Sequence, residues 1–232
     1  MKQLVVTTSW DDGTVTDLKL AELMDKYGIK GTFYISRVHL DNLMPEPDIV
    51  AIGRQFECGA HTLNHPDLTQ VPPPEAKREI EDSKAYLEDL LGHAVPLFCY
   101  PNGKYNETVK KLVKDCGFIA ARTCDHRGFR LPEDPYKWHV TLYASDGSPL
   151  EALKTWLRFR LWKVQALLDW ESRAKLLFDL ASEGGVYHIY GHSAGFEKRN
   201  EWDRLERVFS YISRREGVRY LTNGEIFESY YP

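Results

Sequence analysis

The sequence predicts an α/β fold, a distorted (β/α) barrel with seven or eight repeating units. Apolar runs of strand length alternate with segments of helical period along nearly all of the 232 residues. No Gly/Ser linker or low-complexity segment interrupts this alternation, so we expect a single domain over residues 1–232. In barrels and in open parallel sheets alike, ligands bind at the carboxyl ends of the strands. The residues that follow each strand are therefore the candidates for function.

The first half of the chain gives the clearest elements. Residues 4–8 are short and β-branched, as in a buried parallel strand. Residues 16–27 place apolar side chains on one helical face, and Gly28 then ends the helix. Prolines at 72–74 open the longest predicted helix, which ends at Gly92. The same criteria predict strands at 32–35, before Ala60, at 95–99 and at 118–122, and helices at 48–56 and 106–116.

The second half continues the pattern, with strands at 186–190 and 218–221 around a helix at 202–215. Segment 150–170 is interpreted as a barrel helix whose inner face is aliphatic. Its aromatic residues must then face another way, and a lid or a homodimer face is the alternative interpretation. The predicted inner face consists of Leu150, Leu153, Leu157, Leu161, Val164 and Leu168.

Composition excludes several classes of function. Thirty Lys and Arg against 34 Asp and Glu give a net charge of -4, which offers no basic footprint for nucleic acid or an anionic membrane. The amino-terminal apolar stretch is too short for a secretory signal, and no run of about 18 apolar residues predicts a membrane span. The four cysteines lack a CxxC pair and are expected to be free thiols. These features predict a cytoplasmic protein.

Two strand ends carry residues that can bind a metal. Segment 9–13 reads Ser-Trp-Asp-Asp-Gly and places two adjacent carboxylates after an apolar strand, although a turn or a helix cap explains them equally well. Segment 61–65 reads His-Thr-Leu-Asn-His, and histidines four apart lie on one side of a helical turn. Each pattern is weak alone. Together, Asp12, His61 and His65 give one oxygen and two nitrogen ligands, the open ligand set of a catalytic zinc-type site.

The remaining groups suggest proton transfer. Asp11 lies beside this ligand set as a carboxylate that can accept a proton from water. His192 follows the strand at 186–190 and could protonate a leaving group. His188 alternates with Tyr190 along that strand, so we expect it to be a packed histidine.

These residues resemble the polysaccharide deacetylase family of metal-dependent carbohydrate esterases. Segment 9–13 resembles the family's first motif, Thr-Phe-Asp-Asp-Gly, and segment 61–65 its second. The resemblance implies that Asp11 is the general base, and that Asp12, His61 and His65 hold a divalent metal. Zinc is the expected ion, with cobalt, nickel or manganese as alternatives.

The later motifs match less closely. Segment 98–103 resembles the third motif, in which an arginine steadies the base, but Cys99 holds that place and Arg122 is the candidate to supply the cation. Segment 190–192 resembles the fifth motif, Leu-x-His, with Tyr190 in place of Leu beside the acetyl pocket and His192 as the acid. The fourth motif supplies an Asp that polarises the histidine, and Asp125 and Asp146 are the candidates. The residues that the resemblance assigns to substrate binding are Tyr100, Pro101, Asn102, Gly103 and Tyr190.

The resemblance thus implies a hydrolase that removes acetyl groups from N- or O-acetylated sugars, in polymers or oligosaccharides. A second interpretation keeps the site but changes the substrate to a non-sugar amide or cyclic imide, since the third and fifth motifs are irregular. A third is a carbohydrate-binding protein that has lost catalysis. The expected partner is an acetylated carbohydrate.

Overall fold

The computed structural model describes residues 3–37, 40, 42–181 and 185–231. Its central feature is a parallel sheet that curls into a nearly closed barrel, with helices packed around the outside. The distorted (β/α) barrel predicted from the sequence is therefore confirmed. Within the described ranges, no helix is both long and apolar enough to cross a membrane.

Strands alternate with helices along most of the chain, in the order predicted for βα units. The strands are β1 (Leu4–Asp12), β2 (Gly31–Ile35), β3 (Glu57–Ala60), β4 (Leu97–Cys99), β5 (Ala120–His126), β6 (Trp138–Val140), β7 (Leu142–Tyr143), β8 (Val186–Gly191) and β9 (Val218–Tyr220). The helices are α1 (Asp17–Tyr27), α2 (Glu46–Gly53), α3 (Pro73–Leu91), α4 (Glu107–Asp115), α5 (Pro149–Arg158), α6 (Gln165–Leu168), α7 (Trp170–Leu180), α8 (Ser193–Arg199), α9 (Trp202–Ile212) and α10 (Asn223–Tyr230).

The barrel is nearly closed because one segment of chain touches both edges of the sheet. The strand order is β6-β5-β4-β3-β2-β1-β8-β7, with β9 pairing β1. Only Thr141 separates β6, which pairs with β5, from β7, which pairs with β8. The sequence did not predict these two strands, since runs of three and two residues carry no periodicity.

The barrel interior is filled by the side chains expected of buried parallel strands. Every residue of β1 except Asp12 is buried, and so is every residue of β2 and β8. Trp10 is fully buried between β1 and the outer helices, where its ring packs edge-on against Phe196 and Phe209. This packing fixes β1, whose carboxyl end carries the two adjacent aspartates.

Segment 150–170 departs from the prediction of one barrel helix. It forms α5, α6 and the start of α7, and three of its four aromatic residues pack inward. Trp170 and Leu161 are buried, and Trp156 and Phe159 pack against the core. The predicted inner face is wrong at five of its six positions, which are exposed: Leu150, Leu153, Leu157, Val164 and Leu168. An aromatic ring buries more apolar area than a leucine side chain, and this difference favours the inward packing of the aromatic residues.

Candidate active site

The first part of the site is the carboxyl end of β1. Asp11 is buried, and Asp12 is half-buried in a backbone conformation with φ of 84°. A positive φ is uncommon for a residue other than glycine, and such backbone strain concentrates at functional sites. Gly13 follows with φ of 74° and turns the chain away from the strand. The strand and this turn direct the two neighbouring carboxylates into the barrel mouth.

The second part is a loop after β3, not the helical turn that the His-x-x-x-His spacing suggested. Residues 61–65 are irregular, and Thr62 and His65 have positive φ values of 63° and 53°. Glu79 of α3 holds the loop by accepting hydrogen bonds from the backbone N–H groups of Leu63 and Asn64, at 3.1 and 3.0 Å. The histidines therefore meet because a neighbouring helix anchors the loop between them.

Asp12, His61 and His65 converge on one point. The Nε2 atoms of the two histidines are 3.1 Å apart, and Asp12 Oδ1 lies 3.9 Å from each. A four-coordinate zinc ion with ligand bonds of about 2.0–2.1 Å has donor-to-donor distances of roughly 3.3 Å, so the spacing of these donors fits a divalent cation. Three protein ligands leave a coordination position for another molecule, as in catalytic metal sites.

The surroundings of His61 favour a metal-binding form of its ring. Its Nδ1 lies 2.7 Å from the backbone carbonyl of Cys99, which leaves Nε2 facing Asp12 and His65. Burial lowers the pKa of His61 to about 4, against the opposing effect of the Asp11 charge. The ring is therefore neutral near pH 7, and neutral imidazole is the form that coordinates metals.

Asp11 is paired with Arg122, the cation that the sequence placed on the following strand. Arg122 Nη2 donates to both carboxylate oxygens, and both side chains are buried. Burial alone would raise the pKa of Asp11, but the charge of Arg122, together with His61 and His192, holds it below its usual value. Register explains the contact, because Arg122 is the β5 partner of Cys99 on β4. Asp11 is thus kept ionised inside the protein.

His192 faces the two aspartates from the end of β8. Its Nε2 lies 3.8 Å from Asp12 Oδ2 and 4.0 Å from Asp11 Oδ2. Its Nδ1 lies 3.3 Å from the hydroxyl oxygen of Tyr143 on β7. His188 lies four residues earlier, on β8, and is buried. Its Nε2 lies 2.9 Å from the hydroxyl oxygen of Ser9, as expected of a packed histidine.

These groups line a cavity of about 390 Å³. Of the residues predicted to bind substrate, Asn102 and Tyr190 line it. Tyr100 is buried with its hydroxyl on the carbonyl of Tyr136, Pro101 is also buried, and Gly103 packs against β5. The cavity lining is Asp11, Asp12, Leu40, His61, His65, Asn102, Cys124, Tyr190 and His192.

Two residues of this lining, Leu40 and Cys124, were not predicted from the sequence. Cys124 lies two residues after Arg122 on β5, so the alternation of a strand could have placed it on the same face. Leu40 lies in a loop and carried no such signal. Cys124 and Tyr190 also line a neighbouring cavity of about 370 Å³, so the two cavities meet at these side chains.

Comparisons of the sequence identify relatives over part of the chain. The Bacillus subtilis protein YxkH is 26% identical over 138 residues, which are 58% of this chain and 50% of YxkH. The peptidoglycan-N-acetylmuramic acid deacetylase PdaC of Bacillus subtilis is 29% identical over 116 residues, which are 48% of this chain and 24% of PdaC. The matched regions thus span half or less of either relative.

Comparison of the fold covers nearly the whole chain. A family 4 acetyl xylan esterase from Clostridium thermocellum, solved in complex with a cobalt ion, superposes with a TM-score of 0.65 at 18% identity. The match covers 97% of this chain and 91% of that one, and it shows a shared fold. The sequence profile of the polysaccharide deacetylase family matches residues 1–121, which include Asp11, Asp12, His61 and His65. This chain therefore belongs to the polysaccharide deacetylase family.

Proposed function

We propose that this protein is a metal-dependent deacetylase that removes acetyl groups from N- or O-acetylated sugars. The observation that carries the proposal is the convergence of three metal donors, an ionised buried carboxylate and a histidine in one cavity. Family membership supports the reaction class. The proposal treats residues 1–232 as one catalytic domain.

In the proposed mechanism the chain's own residues move the protons. Asp11, kept ionised by Arg122, takes a proton from the attacking water. His192, with Nε2 on the cavity side, donates a proton to the departing amine or hydroxyl. Asp12, His61 and His65 would hold the divalent cation, which when bound polarises the acyl carbonyl and stabilises negative charge on its oxygen.

The cavity supports binding of a sugar derivative. Asn102 offers an amide that can hydrogen-bond hydroxyl or acetamido groups, and Tyr190 forms part of the cavity wall. Tyr190 also narrows the space beside the reacting carbonyl, which favours a small acyl group. The proposed partner is therefore an acetylated oligo- or polysaccharide.

The proposal also includes the metal ion and the cellular location. Zinc is the proposed ion, because two imidazoles and one carboxylate are a donor set of catalytic zinc sites. The cytoplasm is the proposed location, supported by four cysteines that are all free thiols. A homodimer remains a prediction of the sequence.

A metal and acetate assay on the purified full chain tests the proposal. Zinc binding would be measured by calorimetry in the wild type and in His61→Ala, His65→Ala and the control His93→Ala, whose ring is exposed. Acetate release would be measured from N-acetylglucosamine oligomers and acetylated xylan, with zinc or cobalt added. We expect zinc binding and acetate release to be lost in the two ligand variants and kept in the control.

Other outcomes select the alternatives. Zinc binding with hydrolysis of small amides or cyclic imides, but without acetate release from any sugar, would replace the sugar substrate with a non-sugar one. Sugar binding without turnover would indicate a carbohydrate-binding protein. Equal zinc affinity in the wild type and the His61→Ala variant would overturn the proposed metal site.

A further inference from the structure

His192 faces the two aspartates through Nε2, and its other ring nitrogen, Nδ1, is within hydrogen-bond distance of a tyrosine hydroxyl. Tyr143 Oη lies 3.3 Å from His192 Nδ1, and the two rings meet edge to face with centroids 5.8 Å apart. Tyr143 is held in this position because it is the β7 partner of Tyr190 on β8, with their rings 4.9 Å apart. Burial raises the pKa of Tyr143, so its hydroxyl stays protonated at neutral pH.

The two carboxylates that the sequence offered for this place are engaged elsewhere. Asp125 pairs with Arg127 at 2.7 Å. Asp146 pairs with Arg204 at 2.9 Å and accepts a hydrogen bond from the backbone of Trp170 at 2.7 Å. Within the described part of the chain, the carboxylates within 4.0 Å of His192 are Asp11 and Asp12, and both face its other nitrogen, Nε2.

We propose that Tyr143 is the positioning residue of His192, in the place where the family pattern has an aspartate. The inference rests on the proposed function, because it assigns a partner to the proposed acid. In the doubly protonated ring that acts as the acid, both nitrogens are donors, so Nδ1–H donates to Tyr143 Oη and Nε2–H faces the cavity. The hydroxyl fixes the ring orientation without adding a third negative charge beside Asp11 and Asp12.

The proposed proton transfer balances without any further reactant. The C–N or C–O bond to the acetyl group breaks, and its electron pair stays on the departing atom. The Nε2–H bond of His192 breaks as the departing nitrogen or oxygen takes this proton. His192 becomes neutral and keeps its proton on Nδ1, still bonded to Tyr143. Loss of the Tyr143 hydroxyl should therefore slow a reaction most when the leaving group must be protonated, and least when the leaving group is stable without a proton.

Two substrates with different leaving groups test this role. An N-acetylglucosamine oligomer releases an amine that must be protonated, whereas 4-nitrophenyl acetate releases a stable phenolate. We expect Tyr143→Phe to lower kcat on the oligomer about 10- to 100-fold, a part of what a general acid contributes, and to leave kcat on the aryl ester within about twofold. KM should stay unchanged for both. The control Tyr211→Phe removes a hydroxyl that bonds Asp179 on the outer helices and should change neither rate.

The outcomes separate this inference from the proposed function. A wild type that hydrolyses neither substrate contradicts the deacetylase function itself. A wild type active on both, with a Tyr143→Phe variant that loses both equally or neither, overturns the role of Tyr143. In a His192→Ala background, Tyr143→Phe should have no further effect on the oligomer, and an additional loss would likewise overturn it.

A spectroscopic measurement tests the same contact without catalysis. In metal-free protein labelled with ¹⁵N-histidine, the His192 signals are assigned by their loss in His192→Ala. We expect the same ratio of the two neutral His192 tautomers in the wild type and in Tyr211→Phe, and a different ratio in Tyr143→Phe, because a hydroxyl beside Nδ1 biases which nitrogen holds the proton. An identical tautomer ratio in the wild type and Tyr143→Phe would show that the hydroxyl does not position this ring.

Discussion

Arg122 donates to both carboxylate oxygens of Asp11 inside the barrel, where the two side chains are 0% and 3% exposed. Arg122 Cζ also lies over the rings of Tyr34 and Tyr190, 5.3 and 4.9 Å from their centroids. An ionised carboxylate at this depth needs a fixed countercharge, because desolvation alone would neutralise it. The Arg122–Asp11 pair therefore contributes to the stability of the fold and also keeps Asp11, the proposed base, charged and in place.

Removing Arg122 should destabilise the fold far more than removing an exposed arginine of the same region. Arg122→Met leaves the Asp11 charge buried without its partner, and we expect the free energy of unfolding to fall by about 3–5 kcal/mol. Arg127→Met breaks an exposed pair with Asp125 and should cost less than about 1 kcal/mol. Urea denaturation of both variants measures the difference. Equal losses would mean that the buried pair adds nothing beyond a surface contact.

The sequence could predict Asp11, Asp12 and His61 as neighbours because parallel strands end at one edge of a sheet. It could also point to Arg122, since β5 follows β4 in the chain and pairs with it. Tyr143 was beyond reach, because it lies on a strand of two residues that pairs with β8 from across the barrel closure. Such contacts depend on long-range register, which local periodicity does not encode.

Gly103 should be intolerant of a side chain because of the strand beside it. Gly103 has φ of +67°, and an added Cβ would lie 2.6 Å from the backbone nitrogen of Cys124. Gly117 has a similar φ of +80°, and no atom of the described residues lies within 4 Å of such a Cβ, so it is a matched control. We expect Gly117→Ala to cost about 1–2 kcal/mol of unfolding free energy through backbone strain alone. Gly103→Ala should cost a further ~1–3 kcal/mol through overpacking, and equal costs in denaturation would contradict the clash.

Asp17 should make stability depend on pH. Its side chain is fully buried, its Oδ1 accepts from Ser193, and its Oδ2 has no hydrogen-bond partner among the described residues. Burial raises its pKa from 3.8 to about 8, so the folded state binds this proton more tightly than the unfolded state. Stability is therefore lost as pH rises from about 4 to about 8, by up to ~1.4 kcal/mol per pH unit.

The variant Asp17→Asn isolates this effect, because asparagine has nearly the same shape and does not titrate. Unfolding free energies of the wild type and the variant, measured from pH 4 to pH 8, should diverge in favour of asparagine as pH rises. Other titrating groups cancel in the difference between the two curves. Parallel curves over this range would show that Asp17 is already ionised in the folded protein.

The segment 150–168 shows why helical periodicity alone can mislead. Its leucines and its aromatic residues each form an apolar stripe, and the helical period of the leucines predicted that their stripe faces the core. The structure buries Leu161 and packs Trp156 inward, while Leu168 is 72% exposed and Trp162 is 63% exposed. The choice between the two stripes depends on which side chains fill the space beneath them, and that space is made by elements distant in sequence.

Two leucines of the predicted inner face, truncated in the same way, test whether that face is divided between the core and solvent. Leu161 is 2% exposed, so Leu161→Ala should leave a cavity and lower the free energy of unfolding by about 2–5 kcal/mol. Leu168→Ala removes the same atoms from a side chain that is largely in water and should change it by less than about 0.5 kcal/mol. Chemical denaturation of the two variants under one set of conditions gives the comparison. A Leu168→Ala loss as large as that of Leu161→Ala would restore the face predicted from the sequence, because a solvent-exposed leucine has no packed neighbours whose contacts could be lost.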